Sequence, residues 1–160
     1  AYQGLGQLDT AISNFKKAIS IDPSYADSYS NMGIALQNQG RLEEAVEAYK
    51  KALTIKPDHV DIYYNMGNAL QDQGILEEAI GAYKKTLSIK PDFADAHYNL
   101  GNALQNQGKP GEALTAYKKA LKINPDFSNA SAEMGECLLK IGKFEEGRSL
   151  IQKSDGSISL

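Results

Sequence analysis

The stretch that decides the fold is residues 94–127, ADAHYNLGNALQNQGKPGEALTAYKKALKINPDF, because its pattern also fills residues 26–59 and 60–93. Three sets of residues recur at an interval equal to the length of this block. One set is a proline and the other two are glycines. They are Pro23, Pro57, Pro91 and Pro125; Gly33, Gly67, Gly101 and Gly135; and Gly6, Gly40, Gly74, Gly108 and Gly142. A period of this length, with small residues, aromatics and a closing proline in fixed places, is typical of stacked helix-turn-helix units. The sequence therefore predicts an all-α, right-handed solenoid.

Each block carries two amphipathic segments separated by a glycine. In residues 60–93 the buried stripes predicted from helical spacing are Tyr63, Met66, Gly67 and Leu70, then Leu76, Ala79, Ile80, Tyr83 and Leu87. Gly74 stands where the chain needs a left-handed residue, and proline ends each second helix because it lacks an amide hydrogen. Asp58 and Asp61 are spaced as capping and dipole-compensating acids would be.

The period also predicts the domain organisation. We expect one domain over residues 1–153, built from a partial repeat (1–25), three full repeats (26–59, 60–93 and 94–127) and a degenerate repeat (128–153). In the partial repeat, Gly6 is expected to turn the chain between the end of a first helix and a second helix. Residues 154–160 are predicted to be a tail, either disordered or the start of a following segment.

The chain resembles the tetratricopeptide repeat family over residues 1 to about 153. Counted from Ala94, the family's signature positions are filled by His97, Leu100, Gly101, Leu104, Ala113, Tyr117, Ala120 and Pro125. The sequence departs from the pattern at His97, where the family often has an aromatic residue, and in residues 128–153. The resemblance implies a protein-interaction module whose first helices line a concave groove.

Positions left after the buried stripes are removed form polar columns on these first helices, with one residue from each block in a column. The candidate peptide-binding residues are Asn31, Asn65, Asn99, Asn68, Asn102, Tyr64 and Tyr98. A primary amide both donates and accepts a hydrogen bond, so it can pair with a peptide unit whatever the side chain of the ligand. The groove resembles the repeat superhelix of O-linked N-acetylglucosamine transferases, in which a similar asparagine column holds peptide backbone.

Other interpretations of these columns remain open. The asparagines can simply solvate the groove or bond a neighbouring helix. The aspartates Asp27, Asp61 and Asp95 fit helix-start electrostatics, and Gln37, Gln71 and Gln105 are expected to be solvated ends. The chain can also be the substrate-recruiting part of a larger modifying enzyme, such as a glycosyltransferase, or a scaffold that self-associates through its open N-terminal helix.

Composition narrows the function classes. A net charge of -3 argues against a nucleic-acid partner, and the sequence has no apolar run that could insert into a membrane. Lysine pairs such as Lys50 and Lys51 are expected on a solvated outer face, with Glu47 paired to Lys51. Two histidines and the single Cys137 lack partners at ligand spacing, so no metal, cofactor or catalytic residue is predicted. We expect a neutral or basic protein segment as partner and a cytoplasmic location.

Overall fold

The computed structural model describes the backbone of residues 2–154 and the side chains of residues 6–153, and this part of the protein consists of α-helices joined by short turns. The helices are α1 (Tyr2–Ile21), α2 (Ala26–Asn38), α3 (Leu42–Ile55), α4 (Val60–Asp72), α5 (Leu76–Ile89), α6 (Ala94–Asn106), α7 (Pro110–Ile123), α8 (Ser128–Lys140) and α9 (Phe144–Ser154). No strand occurs within residues 2–154. The predicted all-α class is confirmed. The predicted tail lies outside the described residues from residue 155 onward.

The chain divides into two compact units, residues 1–89 and residues 90–160. Unit 1 contains α1 to α5, with the helical hairpins α2–α3 and α4–α5. Unit 2 contains the hairpins α6–α7 and α8–α9. Within each unit the second helix of one hairpin also packs against the first helix of the next, which is the stacking that the sequence period predicts. The boundaries of the individual repeats stay a prediction.

A tyrosine lying on a glycine holds each of three hairpins together. A Cβ atom built on Gly33 would lie 2.6 Å from Tyr49 Cε1, and the equivalent distance from Gly67 to Tyr83 Cε1 is 2.7 Å. In unit 2 the corresponding pair is Gly101 and Tyr117. The three tyrosines are fully buried, so their rings have no space into which to move. Glycine is therefore required for the two helices to approach this closely.

The turn inside each hairpin uses a glycine in the left-handed conformation. Gly40, Gly74, Gly108 and Gly142 have φ angles of 76°, 76°, 79° and 84°. In the first of these turns, the Arg41 amide donates to the Leu36 carbonyl, which satisfies a carbonyl at the end of α2. The turn predicted at Gly74 is confirmed.

The turn predicted at Gly6 is wrong, because α1 runs unbroken through that residue. A helix reversal is stabilised when the helix before it packs against the helix after it. Within the described residues α1 packs only against α2, so no preceding helix holds such a reversal. Continuing the helix satisfies the backbone amides instead.

The capping role predicted for Asp58 is also wrong. The N-cap residue of α4 is His59, and its side chain makes no capping hydrogen bond. Asp61 lies in the first turn of α4, and Asp27 and Asp95 occupy the same place in α2 and α6. These carboxylates therefore face the positive end of the helix dipole, as predicted.

The hairpin α8–α9 uses a different contact from the others. A Cβ atom on Gly147 would lie 2.8 Å from the Gly135 carbonyl oxygen, and one on Gly135 would lie 2.6 Å from Ile151 Cγ1. Isoleucine thus stands where the other hairpins have tyrosine, and two glycines bring the helix backbones together. The change explains why the signature weakens after residue 128 without loss of the hairpin.

Candidate functional site

The first helices of neighbouring hairpins approach each other within each unit. Cα atoms of α2 and α4 come within 8 Å, whereas α3 and α5, both fully described, have no such approach. The same holds in unit 2, where α6 approaches α8 but α7 does not approach α9. Each unit therefore has a closer side formed by its first helices, which favours this side as the concave one.

The asparagine column points toward that side. Gly33 faces α3 through Tyr49, and Asn31 precedes Gly33 by two residues, which is about 200° around the helix. Asn65 and Asn99 precede Gly67 and Gly101 by the same interval. We call the side of the first helices that is turned away from the second helices the inner face of each unit.

The asparagines of this column are accessible to different degrees. Asn31 on α2 is exposed, whereas Asn65 on α4 and Asn99 on α6 are half-buried. The side-chain amides of Asn31 and Asn65 make no hydrogen bond with any other described residue. In unit 1 the column thus presents two amides whose hydrogen-bonding groups face outward.

The neighbouring asparagine column has a structural task. The buried Tyr83 hydroxyl donates to Asn68 Oδ1 at 2.8 Å, and the Tyr117 hydroxyl donates to Asn102 Oδ1 at 2.7 Å. Burial raises the pKa of both hydroxyls, which keeps them protonated as donors. The carbonyl oxygens of Asn68 and Asn102 are therefore occupied, and any role of these residues in peptide binding stays a prediction.

The expectation that the glutamine column is merely solvated is wrong. Gln37, Gln71 and Gln105 are half-buried, and each accepts a hydrogen bond from the tyrosine of its own hairpin, at 3.1, 3.2 and 3.2 Å. The sequence carried a signal for this contact, since glutamine precedes tyrosine by 12 residues in all three hairpins. A buried hydroxyl needs an acceptor, and these glutamines supply it.

The two candidate tyrosines are packed against the buried ones. The ring centroid of Tyr64 lies 6.2 Å from that of Tyr83. Tyr98 lies 5.9 Å from Tyr117 and 4.8 Å from Phe127, in tilted arrangements typical of aromatic pairs. Both candidate rings are half-buried, so each is fixed in position and keeps an accessible part.

Charged residues lie in the first turns of the first helices and along the second helices. Asp27 accepts from Lys56 at 2.8 Å, and this hydrogen bond lowers the pKa of the Asp27 carboxyl. The lysine pairs of the second helices are exposed, as predicted. Glu47, however, pairs with Lys50, three residues on, at 3.2 Å and not with the expected Lys51.

His97 is buried, as expected for a residue in a packing position. Its Nε2 hydrogen donates to the Pro91 carbonyl at 2.9 Å, while Nδ1 is buried without a hydrogen-bond partner among the described residues. Burial lowers the pKa of the imidazole, which favours the neutral ring. His97 is therefore part of the structure of α6.

A second concavity of about 340 Å³ lies among α1, α2 and α3, with Tyr29, Met32 and Leu36 as apolar lining. The equivalent surface around Tyr63 is covered by Lys85, whose amine lies 5.8 Å from the ring centroid and 3.7 Å from Asp58. One repeat earlier Ser24 replaces this aspartate, and the corresponding lysine, Lys51, makes no ion pair with any described residue. Glutamates and lysines both line the concavity, and charge selects no ligand class there.

The described part of the chain contains neither a metal site nor a membrane-spanning helix. No group of three or more histidine, cysteine, aspartate or glutamate side chains within it is arranged to hold a metal ion. None of its helices is both long enough and apolar enough to cross a bilayer.

Comparison with solved structures supports the fold independently. A structure described as a crystal structure of MamA is 27% identical, with a TM-score of 0.90, over 93% of this chain and 87% of that chain. YrrB, described as a TPR protein with an unusual peptide-binding site, is 28% identical, with a TM-score of 0.78, over 89% of this chain and 75% of that chain. PilF of Pseudomonas aeruginosa is 26% identical, with a TM-score of 0.80, over 96% of this chain and 71% of that chain.

No curated protein matches the chain in sequence. Family models do match along most of its length. A model described as a TPR repeat matches residues 1–40, 38–74 and 67–108, and two described as a tetratricopeptide repeat match residues 94–127 and 116–149. Together with the repeated hairpins and their glycine–tyrosine contacts, these matches show that the chain belongs to the tetratricopeptide repeat family.

Proposed function

We propose that the inner face of each unit binds an extended peptide segment through side-chain amides, without catalysing a reaction. The observation that carries the proposal is the pair Asn31 and Asn65 in unit 1. Both lie on the side turned away from the second helices, and neither side chain is bonded to another described residue. Unpaired amides on the face of approaching helices are suited to pair with the main chain of a ligand.

The spacing of the asparagines on successive first helices fits an extended peptide. Packed helices lie about 8–10 Å apart, and an extended peptide advances about 3.3 Å per residue. One asparagine per hairpin therefore matches about every third residue of a ligand by this geometry. The rigid rings of Tyr64 in unit 1 and Tyr98 in unit 2 supply apolar area beside the amides for ligand side chains.

The comparison with YrrB, a TPR protein with an unusual peptide-binding site, supports a peptide as ligand. The asparagine column of O-linked N-acetylglucosamine transferases, which the inner face resembles, supports the same mode of binding. Recruitment of substrates for a linked modifying domain would use this face in the same way. We place the binding activity in the cytoplasm.

A positional-scanning library of nine-residue peptides tests the proposal, with binding to each pool measured by fluorescence anisotropy. Asn31→Ala with Asn65→Ala is expected to abolish capture by unit 1, and Asn65→Ala with Asn99→Ala to abolish capture by the chain. Helical content should not change in Asn31→Ala with Asn65→Ala, since neither of these two side chains bonds another described residue. A matched control is Asn14→Ala, an exposed asparagine on α1. Undiminished capture by both double variants would rule out the asparagine column as the binding element.

Self-association is a second candidate, favoured by α1. This helix packs only against α2 within the described residues, Phe15, Ala18 and Ile19 are half-buried, and Ile21 is 84% exposed. Light scattering against protein concentration tests the idea. A monomer at every concentration would exclude it.

A further inference from the structure

Unit 2 replaces one of its inner-face amides with a carboxylate. Glu133 on α8 occupies the repeat position that Asn99 occupies on α6, and it stands two residues before Gly135, whose missing side chain faces Ile151 of α9. By the geometry that orients the asparagines, Glu133 points away from α9 and onto the inner face of unit 2. It is half-buried there.

Buried groups of unit 2 hold the Glu133 carboxylate in place. Gln105 Nε2 donates to Glu133 Oε2 at 3.1 Å. The other end of that glutamine, Oε1, accepts from the Tyr117 hydroxyl at 3.2 Å and from the Cys137 thiol at 2.9 Å. Tyr117 and Cys137 are both fully buried, so the glutamine cannot rotate freely. The chain of hydrogen bonds fixes one carboxylate oxygen and leaves Glu133 Oε1 without a hydrogen bond to any described residue.

The negative charge of Glu133 is not paired with a cation in the described part of the chain. No ion pair in the described part of the chain includes Glu133, although Lys143 on the same unit pairs with Glu146 at 3.0 Å. A half-buried charge interacts more strongly with an opposite charge than a fully solvated one does, because less water screens it. A cation supplied by a ligand would therefore gain from this carboxylate.

An aromatic ring lies in the same neighbourhood. Tyr98 is half-buried and packed between Tyr117 and Phe127, with centroid distances of 5.9 and 4.8 Å. Tyr117 connects the two groups: burial is the main cause of the raised pKa of its hydroxyl, and Glu133 and Tyr98 both add to it electrostatically. Aromatic faces attract ammonium and guanidinium groups, so a ring and a carboxylate that share the cluster around Tyr117 suit a basic side chain.

We infer that Tyr98 and Glu133 form a subsite for a lysine or arginine side chain of a peptide bound on the inner face of unit 2. The inference rests on the proposed function, because the peptide must first lie along that face. It specifies that one residue of the bound peptide is basic. It also assigns unit 2 a preference that unit 1 lacks, since the corresponding positions there are Asn31 and Asn65.

The positional-scanning library of nine-residue peptides tests this subsite with the full chain. Pools with lysine or arginine fixed at one position should bind about fivefold more tightly than pools with glutamine there, as expected for an ion pair worth up to about 1 kcal/mol. The preference should weaken in high salt. Glu133→Gln, which retains an acceptor for Gln105, should remove the preference for lysine and arginine pools over glutamine pools. The matched control Glu145→Gln removes the same charge from the exposed start of α9 and should keep the preference.

The outcomes separate the two proposals. An unchanged lysine or arginine preference in Glu133→Gln, or its equal loss in Glu145→Gln, overturns the subsite while peptide binding stands. Binding of every pool with equal affinity by the unaltered chain also overturns it. Capture of no pool overturns the proposed function and the subsite together. Circular dichroism of each variant verifies that unit 2 is folded.

Discussion

Adding one methyl group to Gly67 tests the glycine–tyrosine contact that sets the helix register. A Cβ atom there would lie 2.7 Å from Tyr83 Cε1, 2.9 Å from Cδ1 and 3.1 Å from Cζ. Real Cβ atoms essentially never come within 3.0 Å of a heavy atom outside their own stretch of chain, so either the ring or α4 must move. The ring is rigid and fully buried, and moving it also disturbs the hydrogen bonds of its hydroxyl to Asn68 and Gln71.

The change in unfolding free energy combines one stabilising effect with two destabilising ones. Alanine favours a helix over glycine by about 1 kcal/mol. Overpacking a close-packed core costs about 1–3 kcal/mol, and disturbing the bonds of a buried hydroxyl costs about another 1–3 kcal/mol. We therefore expect Gly67→Ala to destabilise unit 1 by about 1–5 kcal/mol, with a larger effect for Gly67→Leu.

Thermal unfolding followed by circular dichroism measures the effect, with hydrogen exchange of the α4 and α5 amides as a local readout. For a unit of this size each kcal/mol shifts Tm by about 4–8 °C. The matched control is Gly81→Ala on α5, where a Cβ atom meets nothing within 4 Å. It should raise the stability by about 1 kcal/mol through helix propensity alone. If Gly67→Ala were as stable as Gly81→Ala, the close approach of α4 and Tyr83 would be refuted.

Three further changes have defined outcomes. Tyr117→Phe removes the donor to Asn102 and Gln105 and should lower the unfolding free energy of unit 2 by about 1–3 kcal/mol; Tyr25→Phe, an exposed tyrosine, is the control and should have no effect. Because burial lowers the pKa of His97 from its usual 6.5, the unfolded chain binds more protons, so the stability of unit 2 should be complete above about pH 6.5 and fall as the pH drops below it. Urea titrations across pH 4.5–8 should show less of this dependence in His97→Gln. Cys137→Ala should remove the thiol donor to Gln105 and lower stability, measured by the same titrations, because it also leaves space in a fully buried position.

The repeated helical hairpin could be predicted from the sequence alone, since a fixed repeat period and the helical spacing of apolar residues are local properties of the chain. Gly74 at the turn and Pro110 in the first turn of α7 were predictable for the same reason, because each satisfies a backbone requirement at its own position. The continuation of α1 through Gly6 was not predictable from that position alone. Whether a glycine breaks a helix there depends on a packing partner for the preceding segment.

The side-chain contacts between helices were decided by the tertiary structure. Gln71 and Asn68 look alike as polar residues on α4, yet both become acceptors for a tyrosine that reaches them from α5, 12 and 15 residues away. The position of Glu133 beside Gln105 likewise depends on the packing of α6 and α8 in one unit. Periodicity fixes which residues share a helix face, but a hydrogen bond depends on distances between helices, and these exist only once the hairpins have packed.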